Sequence, residues 1–153
     1  MKQSLKQREQ LQGYRTQHNV IHVDPVAKPR MTQRDRWAQR KCVLDYWAYR
    51  DALRPLMEIL GPLEGIDLEF RIPMPKSWSK KKKNEHDGEP HCVKPDIDNF
   101  IKGLLDVLEE DKQIHWVSAQ KVWAHEGSIS IRTNHSAVRT AAFDAHSTKY
   151  KYD

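Results

Sequence analysis

A nine-residue stretch, GIDLEFRIP at residues 65–73, constrains the possible fold more than any other part of the chain. Apolar and polar side chains alternate along it without a break: Ile66, Leu68, Phe70 and Ile72 form one set, and Asp67, Glu69 and Arg71 form the other. Successive side chains of a strand point to opposite faces of a sheet. The stretch therefore predicts a half-buried β-strand, with its apolar face against a core.

Helical spacing of apolar residues occurs on both sides of this strand. Between about residues 40 and 60 the spacing predicts an amphipathic helix, which Pro55 should kink or divide and Gly61-Pro62 should end. A second buried helical stripe is predicted by Ile101, Leu104, Leu105 and Leu108.

Three further segments have the composition of strands. They are residues 19–23, 113–123 and 128–132, and the short AHEG connection between the last two predicts a hairpin. The prolines, glycine and lysine run of residues 73–95 predict a long basic loop. The order of elements predicts an α+β fold: a small single domain with a mixed or antiparallel sheet packed against two main helices. We expect this domain to span residues 19–132, between a polar N-terminal tail (1–18) and a polar C-terminal tail (133–153).

The charge balance favours a polyanionic partner. The 153 residues include 26 Lys and Arg against 21 Asp and Glu, for a formal net charge of +5. The two cysteines, Cys42 and Cys92, form no CxxC pair, so neither a disulfide framework nor a zinc ribbon is indicated. No apolar run suits a signal peptide or a membrane span, and we expect a soluble cytoplasmic protein with no membrane partner.

Two carboxylates lie close together in this basic chain, at Asp96 and Asp98 in KPDIDNFIKGLLD. In an extended segment they would project from the same face. Two such charges about 4 Å apart repel by about 4 kcal/mol at an effective dielectric near 20, so an enclosed pair needs a proton or a cation. Mg²⁺ prefers oxygen ligands and takes one or two carboxylates, and in phosphodiester cleavage it activates water and neutralises phosphate charge. Asp111 can supply a third carboxylate.

A lysine follows the acidic pair at helical spacing. Lys102 lies one turn beyond Asp98 and can contact a scissile phosphate, while Asp106 continues the row and can pair with Lys102. The spacing equally allows a purely structural interpretation, with Asp98 as a helix N-cap and Lys102 and Asp106 as an exposed ion pair. Asp-x-Asp is a common pattern, so spacing alone leaves both interpretations open.

The region KPDIDNFIKGLLDVLEEDKQI, residues 94–114, resembles the RusA-like family of Holliday junction resolvases, which are homodimeric Mg²⁺-dependent endonucleases of phages and prophages. The matching positions are Lys94-Pro95, Asp96, Asp98-Asn99, Lys102, Asp106, Glu110-Asp111 and Gln113-Ile114, with Lys121 where the family strand often carries a basic residue. The resemblance implies that Asp96, Asp98 and Asp111 bind Mg²⁺, with Mn²⁺ as a substitute, and that Lys102 assists at the phosphate. Glu110 is the alternative third ligand.

The resemblance also implies a substrate, and basic residues suggest where it binds. We expect a homodimer that cuts four-way junctions and related branched DNA by paired nicks, in the cytoplasm of a bacterial host if a phage or prophage encodes it. The alternative is a catalytically inactive or repurposed branched-DNA-binding protein on the same fold. The predicted DNA-binding residues are Lys28, Arg30, Arg34, Lys76, Lys80, Lys81, Lys82, Lys83, Lys94 and Lys121.

Overall fold

The computed structural model describes residues 17–60, 64–108 and 113–134. Within these ranges the chain forms four strands, three α-helices and one 3-10 turn. The strands are β1 (Gln17–Ile21), β2 (Gly65–Pro73), β3 (Trp116–Ala124) and β4 (Ser128–Asn134), and the helices are α1 (Lys41–Leu60), α2 (Lys80–His86) and α3 (Ile97–Leu105). The 3-10 turn is Gln33–Arg36. No helix in the described ranges is long and apolar enough to span a membrane.

The four strands form one mixed sheet in the order β1-β4-β2-β3. β4 runs antiparallel to both β1 and β2, whereas β2 and β3 are parallel, with Ile66 opposite Val117. The α+β fold with a mixed sheet is therefore confirmed. The predicted hairpin of the last two strands is wrong, because β2 lies between them. A parallel pair needs a long crossover connection, and the chain from β2 to β3 supplies one that contains α2 and α3.

The apolar face of β2 is the centre of the core, as its alternation predicted. Ile66, Leu68 and Phe70 are buried, and the Phe70 ring packs on Phe100 of α3 with centroids 5.5 Å apart. Burying each such side chain contributes about 1.5–3 kcal/mol. The opposite face of the sheet is polar, and it carries a depression of about 110 Å³ lined by Asp67, Leu68, Glu69, Gln120, Ser130 and Arg132.

Helix α1 is a single helix that contains Pro55. Of the two effects predicted for this proline, a kink or a division, division of the helix is therefore wrong. Leu53 and Leu56, on either side of the proline, are buried in the core. This packing offsets the hydrogen bond that a proline removes from a helix. The end of α1 at Leu60 agrees with the sequence, although Gly61-Pro62 lie outside the described residues.

The predicted loop at residues 73–95 contains a helix, so that interpretation was wrong in part. The four lysines 80–83 form the first turn of α2, and the Ser79 hydroxyl caps it by accepting a hydrogen bond from the Lys82 N–H at 3.2 Å. Lysine is a good helix former, and the Ser cap satisfies one of the free N–H groups. Trp78 fixes the helix against the sheet, because its ring lies 4.9 Å from that of Trp123 in β3.

The strands extend slightly beyond the predicted domain boundaries of 19 and 132. β1 begins at Gln17 and β4 continues to Asn134, with Thr133 buried. The rest of both predicted tails, residues 1–16 and 135–153, lies outside the described residues.

Candidate active site at the start of helix α3

The two motif aspartates lie at the N-terminal end of α3. Asp96 is the N-cap, with extended backbone angles (φ −69°, ψ 151°), and α3 begins at Ile97. Asp98 is therefore already in the first helical turn, so the two carboxylates flank the start of a helix instead of following one another along an extended segment. This corrects the predicted geometry, and both side chains remain exposed.

Neither aspartate side chain makes a structural contact with another described residue. The Asp96 side chain makes no capping hydrogen bond, and within the described ranges neither carboxylate has a hydrogen-bond or ion-pair partner. The structural interpretation named Asp98 as the N-cap, and the structure contradicts it because Asp96 holds that position. The positive end of the helix dipole also favours negative charge here. Two free carboxylates thus remain available to a cation.

Lys102 lies on α3 one turn beyond Asp98, as its spacing predicted, and its side chain is exposed. The predicted ion pair with Asp106 is absent, because Asp106 binds Lys28 instead. Among the residues that the structure describes, no carboxylate pairs with the Lys102 ammonium. That ammonium is free to contact an anion next to the two aspartates.

Lys28, which was predicted to contact DNA, makes an ion pair and an aromatic contact within the protein. Its Nζ lies 3.0 Å from Asp106 Oδ2 and 4.5 Å from the centre of the Tyr46 ring, and its side chain is only 22% exposed. Partial burial lowers the pKa of Lys28, but the hydrogen bond to Asp106 and the electrostatic interactions with Tyr46 and Asp106 outweigh it, so the net pKa is raised. The ammonium stays charged and holds the segment before it against α3.

The same segment touches the helix backbone at Gly103. The Lys28 N–H donates to Asn99 O at 2.9 Å, and the Tyr46 hydroxyl donates to Gly103 O at 3.0 Å. A Cβ at Gly103 would lie 2.8 Å from Val26 O and 3.1 Å from Lys28 N. Glycine is required here because no side chain fits between the helix and the segment.

We predict that Gly103→Ala destabilises the protein. In an open helix this change usually stabilises by up to about 1 kcal/mol. Here overpacking against backbone atoms should lower the free energy of unfolding by about 1–3 kcal/mol. Urea unfolding followed by circular dichroism measures the change. A midpoint equal to or above that of the parent protein would contradict the close approach of Val26 to α3.

Lys121, also predicted to bind DNA, holds the segment that leads into the acidic motif. Its Nζ donates to Val93 O and to Pro95 O, both at 2.7 Å, and its backbone carbonyl accepts from the His91 N–H at 3.0 Å. Pro95 immediately precedes Asp96. The lysine therefore fixes the backbone next to a candidate metal ligand. Strand alternation could have suggested this, since Lys121 shares the helix-facing side of β3 with Trp123.

His91 is buried beside Lys121 and packs against Trp123, with ring centroids 4.2 Å apart and ring planes inclined by 55°. Burial lowers the pKa of the imidazole, and the charge of Lys121 lowers it further. The ring is therefore neutral near pH 7 and packs as part of the core beneath the motif.

The other predicted DNA-binding residues lie on the surface and differ in their exposure and contacts. Lys82 Nζ lies 4.1 Å from the centre of the Trp78 ring, which places its charge over an aromatic face. Lys83 is partly buried. Like Lys82, the others are exposed: Arg30, Arg34, Lys76, Lys80, Lys81 and Lys94.

The donor set at the start of α3 suits a hard divalent cation. Mg²⁺ commonly takes one or two carboxylates and completes its shell with water and phosphate oxygens, and exposed, unpaired Asp96 and Asp98 provide such a pair. Asp111 and the alternative ligand Glu110 lie outside the described residues. Within the described ranges, no group of three His, Cys, Asp or Glu side chains is arranged to hold a metal.

Comparison with known proteins gives a relative and a family for this chain. The chain is similar to the uncharacterized protein YqaN of Bacillus subtilis (strain 168), with 32% identity over 87 residues. That similarity covers 51% of this chain and 61% of YqaN, so the chain spans less than two thirds of the length of this relative. Residues 23–134 match the sequence model of a family described as endodeoxyribonuclease RusA. This match covers well over half of the chain and includes Asp96, Asp98 and Lys102, so the chain belongs to the RusA family of endodeoxyribonucleases.

Proposed function

We propose that this protein is a Mg²⁺-dependent, structure-selective endodeoxyribonuclease that resolves four-way junctions and related branched DNA by paired nicks. One observation carries the proposal within its family: Asp96 and Asp98 are exposed at the start of α3, Lys102 lies one helical turn beyond Asp98, and none of the three side chains has a partner among the described residues. Carboxylates and an ammonium at this spacing can serve a metal ion and the phosphate it acts on.

Each residue has a distinct part in this proposal. Asp96 and Asp98 hold Mg²⁺, with Asp111 as the expected third ligand, and Lys102 contacts the scissile phosphate and stabilises its developing charge. When bound, the ion would activate water and neutralise charge on the phosphate. Mn²⁺ suits the same oxygen ligands, and we expect it to substitute.

The proposal includes a homodimer. A four-way junction presents two equivalent strands, and a two-fold symmetric dimer offers one active site to each. Size-exclusion chromatography with light scattering tests this part. A strictly monomeric protein on a junction would contradict paired cleavage by two copies.

A junction-cleavage assay tests the activity. Purified protein is incubated with a synthetic four-way junction and with a linear duplex of the same sequence, in Mg²⁺ or in EDTA. We expect cleavage of the junction alone and in Mg²⁺ alone. Binding of the junction without cleavage would instead favour a DNA-binding protein on this fold.

A cruciform plasmid distinguishes paired from single nicks. Two coordinated nicks across the junction release linear DNA, whereas a single nick gives an open circle. We expect linear product from the first round of cleavage. Open circles that accumulate before any linear product would exclude paired nicking.

A further inference from the structure

Trp37 is an unusually exposed tryptophan at the end of the 3-10 turn Gln33–Arg36. It is 73% exposed, more than any other large apolar side chain in the described ranges. Tryptophan is highly buried on average, and it is enriched at interfaces because its ring is apolar and its N–H is polar.

A buried aspartate fixes the turn that carries this indole. Asp35 is 6% exposed, and it accepts hydrogen bonds from Arg40 Nε and Nη2, both at 2.6 Å, and from the Thr32 N–H and hydroxyl at 2.5 and 3.0 Å. Arg40 Nη2 also donates to Arg30 O at 2.9 Å. The hydrogen bonds from Arg40 and Thr32 hold the pKa of Asp35 well below its usual range, so the carboxylate stays charged. Trp37 is therefore presented by a preorganised turn.

Residues 28–41, which include Trp37, are mainly basic, with six Lys and Arg and one Asp. Of the six basic residues in 28–41, three have partners: Lys28 with Asp106, Arg40 with Asp35 and Lys41 with Asp45. Arg30, Arg34 and Arg36 are exposed and make no ion pair with any other described residue. The segment thus exposes an indole together with three guanidinium groups that have no ion-pair partner among the described residues.

This combination fits a nucleic acid better than a second copy of the chain. A two-fold contact centred on the turn would bring the arginines of both copies together, and like charges across an interface are unfavourable. DNA phosphates match the arginines, and aromatic side chains stack on bases whatever their sequence. A regular duplex leaves its base faces covered, whereas a branch point or a single strand exposes them.

We propose that Trp37 is a stacking platform for an unpaired base of the DNA, with Arg30, Arg34 and Arg36 on the neighbouring phosphates. This inference rests on the proposed function for the identity of the substrate. The segment that leads into the turn contacts the candidate active site, because the Lys28 N–H donates to Asn99 O, next to Asp98, at 2.9 Å. A base held on Trp37 would set the position of the branch point relative to the two aspartates.

The test compares Trp37→Ala, Trp37→Phe and the parent protein in EDTA, so that binding is measured without cleavage. The DNA is a junction with 2-aminopurine at the branch point, a single strand, and a linear duplex. We expect Trp37→Ala to bind the junction and the single strand at least tenfold more weakly and the duplex unchanged. Trp37→Phe should lie between in affinity, and the 2-aminopurine signal should respond most to the parent protein, less to Trp37→Phe and least to Trp37→Ala.

Trp116→Ala is the matched control, because Trp116 is also exposed, at 46%, but lies on the polar face of the sheet. It should bind all three DNAs like the parent. Equal binding of the junction by Trp37→Ala and the parent would overturn the stacking role, as would an equal loss on duplex and junction. A change in oligomeric state would assign the indole to a protein contact. All of these measurements are made without cleavage. A parent protein that binds the junction but does not cut it would therefore refute the proposed nuclease activity and leave the stacking role of Trp37 intact.

Discussion

Replacing Asp96 by Asn is expected to abolish Mg²⁺-dependent junction cleavage, with a loss of about 10³-fold or more, and to leave junction affinity within about twofold. The amide keeps the shape of the carboxylate but removes the charge that holds the cation. The Asp96 side chain has no hydrogen bond or ion pair to lose within the described ranges. Stability should therefore stay within about 0.5 kcal/mol of the parent. Single-turnover cleavage at saturating protein and a binding titration in EDTA measure the two effects separately.

Asp45→Asn provides the control for this experiment. Asp45 is also an exposed aspartate on a helix, but its carboxylate pairs with Lys41 at 2.6 Å on α1, away from the start of α3. We expect full cleavage activity from this variant. Cleavage by Asp96→Asn at the parental rate would remove Asp96 from the active site, and an equal loss in both variants would point to a general effect of charge.

The third ligand can be identified in the same assay. Sequence leaves Asp111 and Glu110 as alternatives, so Asp111→Asn and Glu110→Gln should differ, with the larger loss at the ligand. We expect the larger loss at Asp111.

Local pattern predicted the elements that form the site but not how they meet. The alternation around Phe70 and the helical spacing of Asp98 and Lys102 depend on neighbours within a few residues, and both were predicted correctly. The order of strands depends on which edges pair over long separations, so the placement of β2 between β3 and β4 could not be read from turn length. Long-range pairing leaves no periodic trace in the chain.

The basic residues also show that local sequence does not reveal contacts between residues far apart in the chain. Positive charge in a sequence suggests DNA contact, yet Lys28 and Lys121 have partners that are remote in sequence, Asp106 and the carbonyls of Val93 and Pro95. Only the fold brings these partners within reach. Two of the ten predicted DNA contacts are thus better explained as residues that position the site, and this distinction can be tested.

Lys121→Met is expected to lower cleavage at saturating junction by about 10–100-fold while leaving junction affinity in EDTA unchanged. Methionine keeps the apolar stem but removes the ammonium that binds the carbonyls of Val93 and Pro95 at 2.7 Å. Without it the backbone next to Asp96 loses its anchor, and losing such an outer partner commonly costs 10–100-fold in metal affinity or activity. Higher Mg²⁺ should therefore restore part of the rate. Titrating the cleavage rate with Mg²⁺ for the variant and the parent measures this shift.

Lys81→Met separates positioning from DNA contact, because Lys81 is an exposed lysine of α2 with no ion pair in the described part of the chain. A lysine that only neutralises a phosphate should weaken binding and reduce the slope of log affinity against log salt by about 1, without changing the Mg²⁺ requirement. We expect weaker binding, a smaller salt slope and an unchanged Mg²⁺ requirement for Lys81→Met. For Lys121→Met we expect unchanged binding, an unchanged salt slope and a higher Mg²⁺ requirement. If Lys121→Met instead loses affinity and salt dependence while its Mg²⁺ requirement stays parental, Lys121 contacts DNA, and the anchor at Pro95 is not needed to hold Asp96 in place.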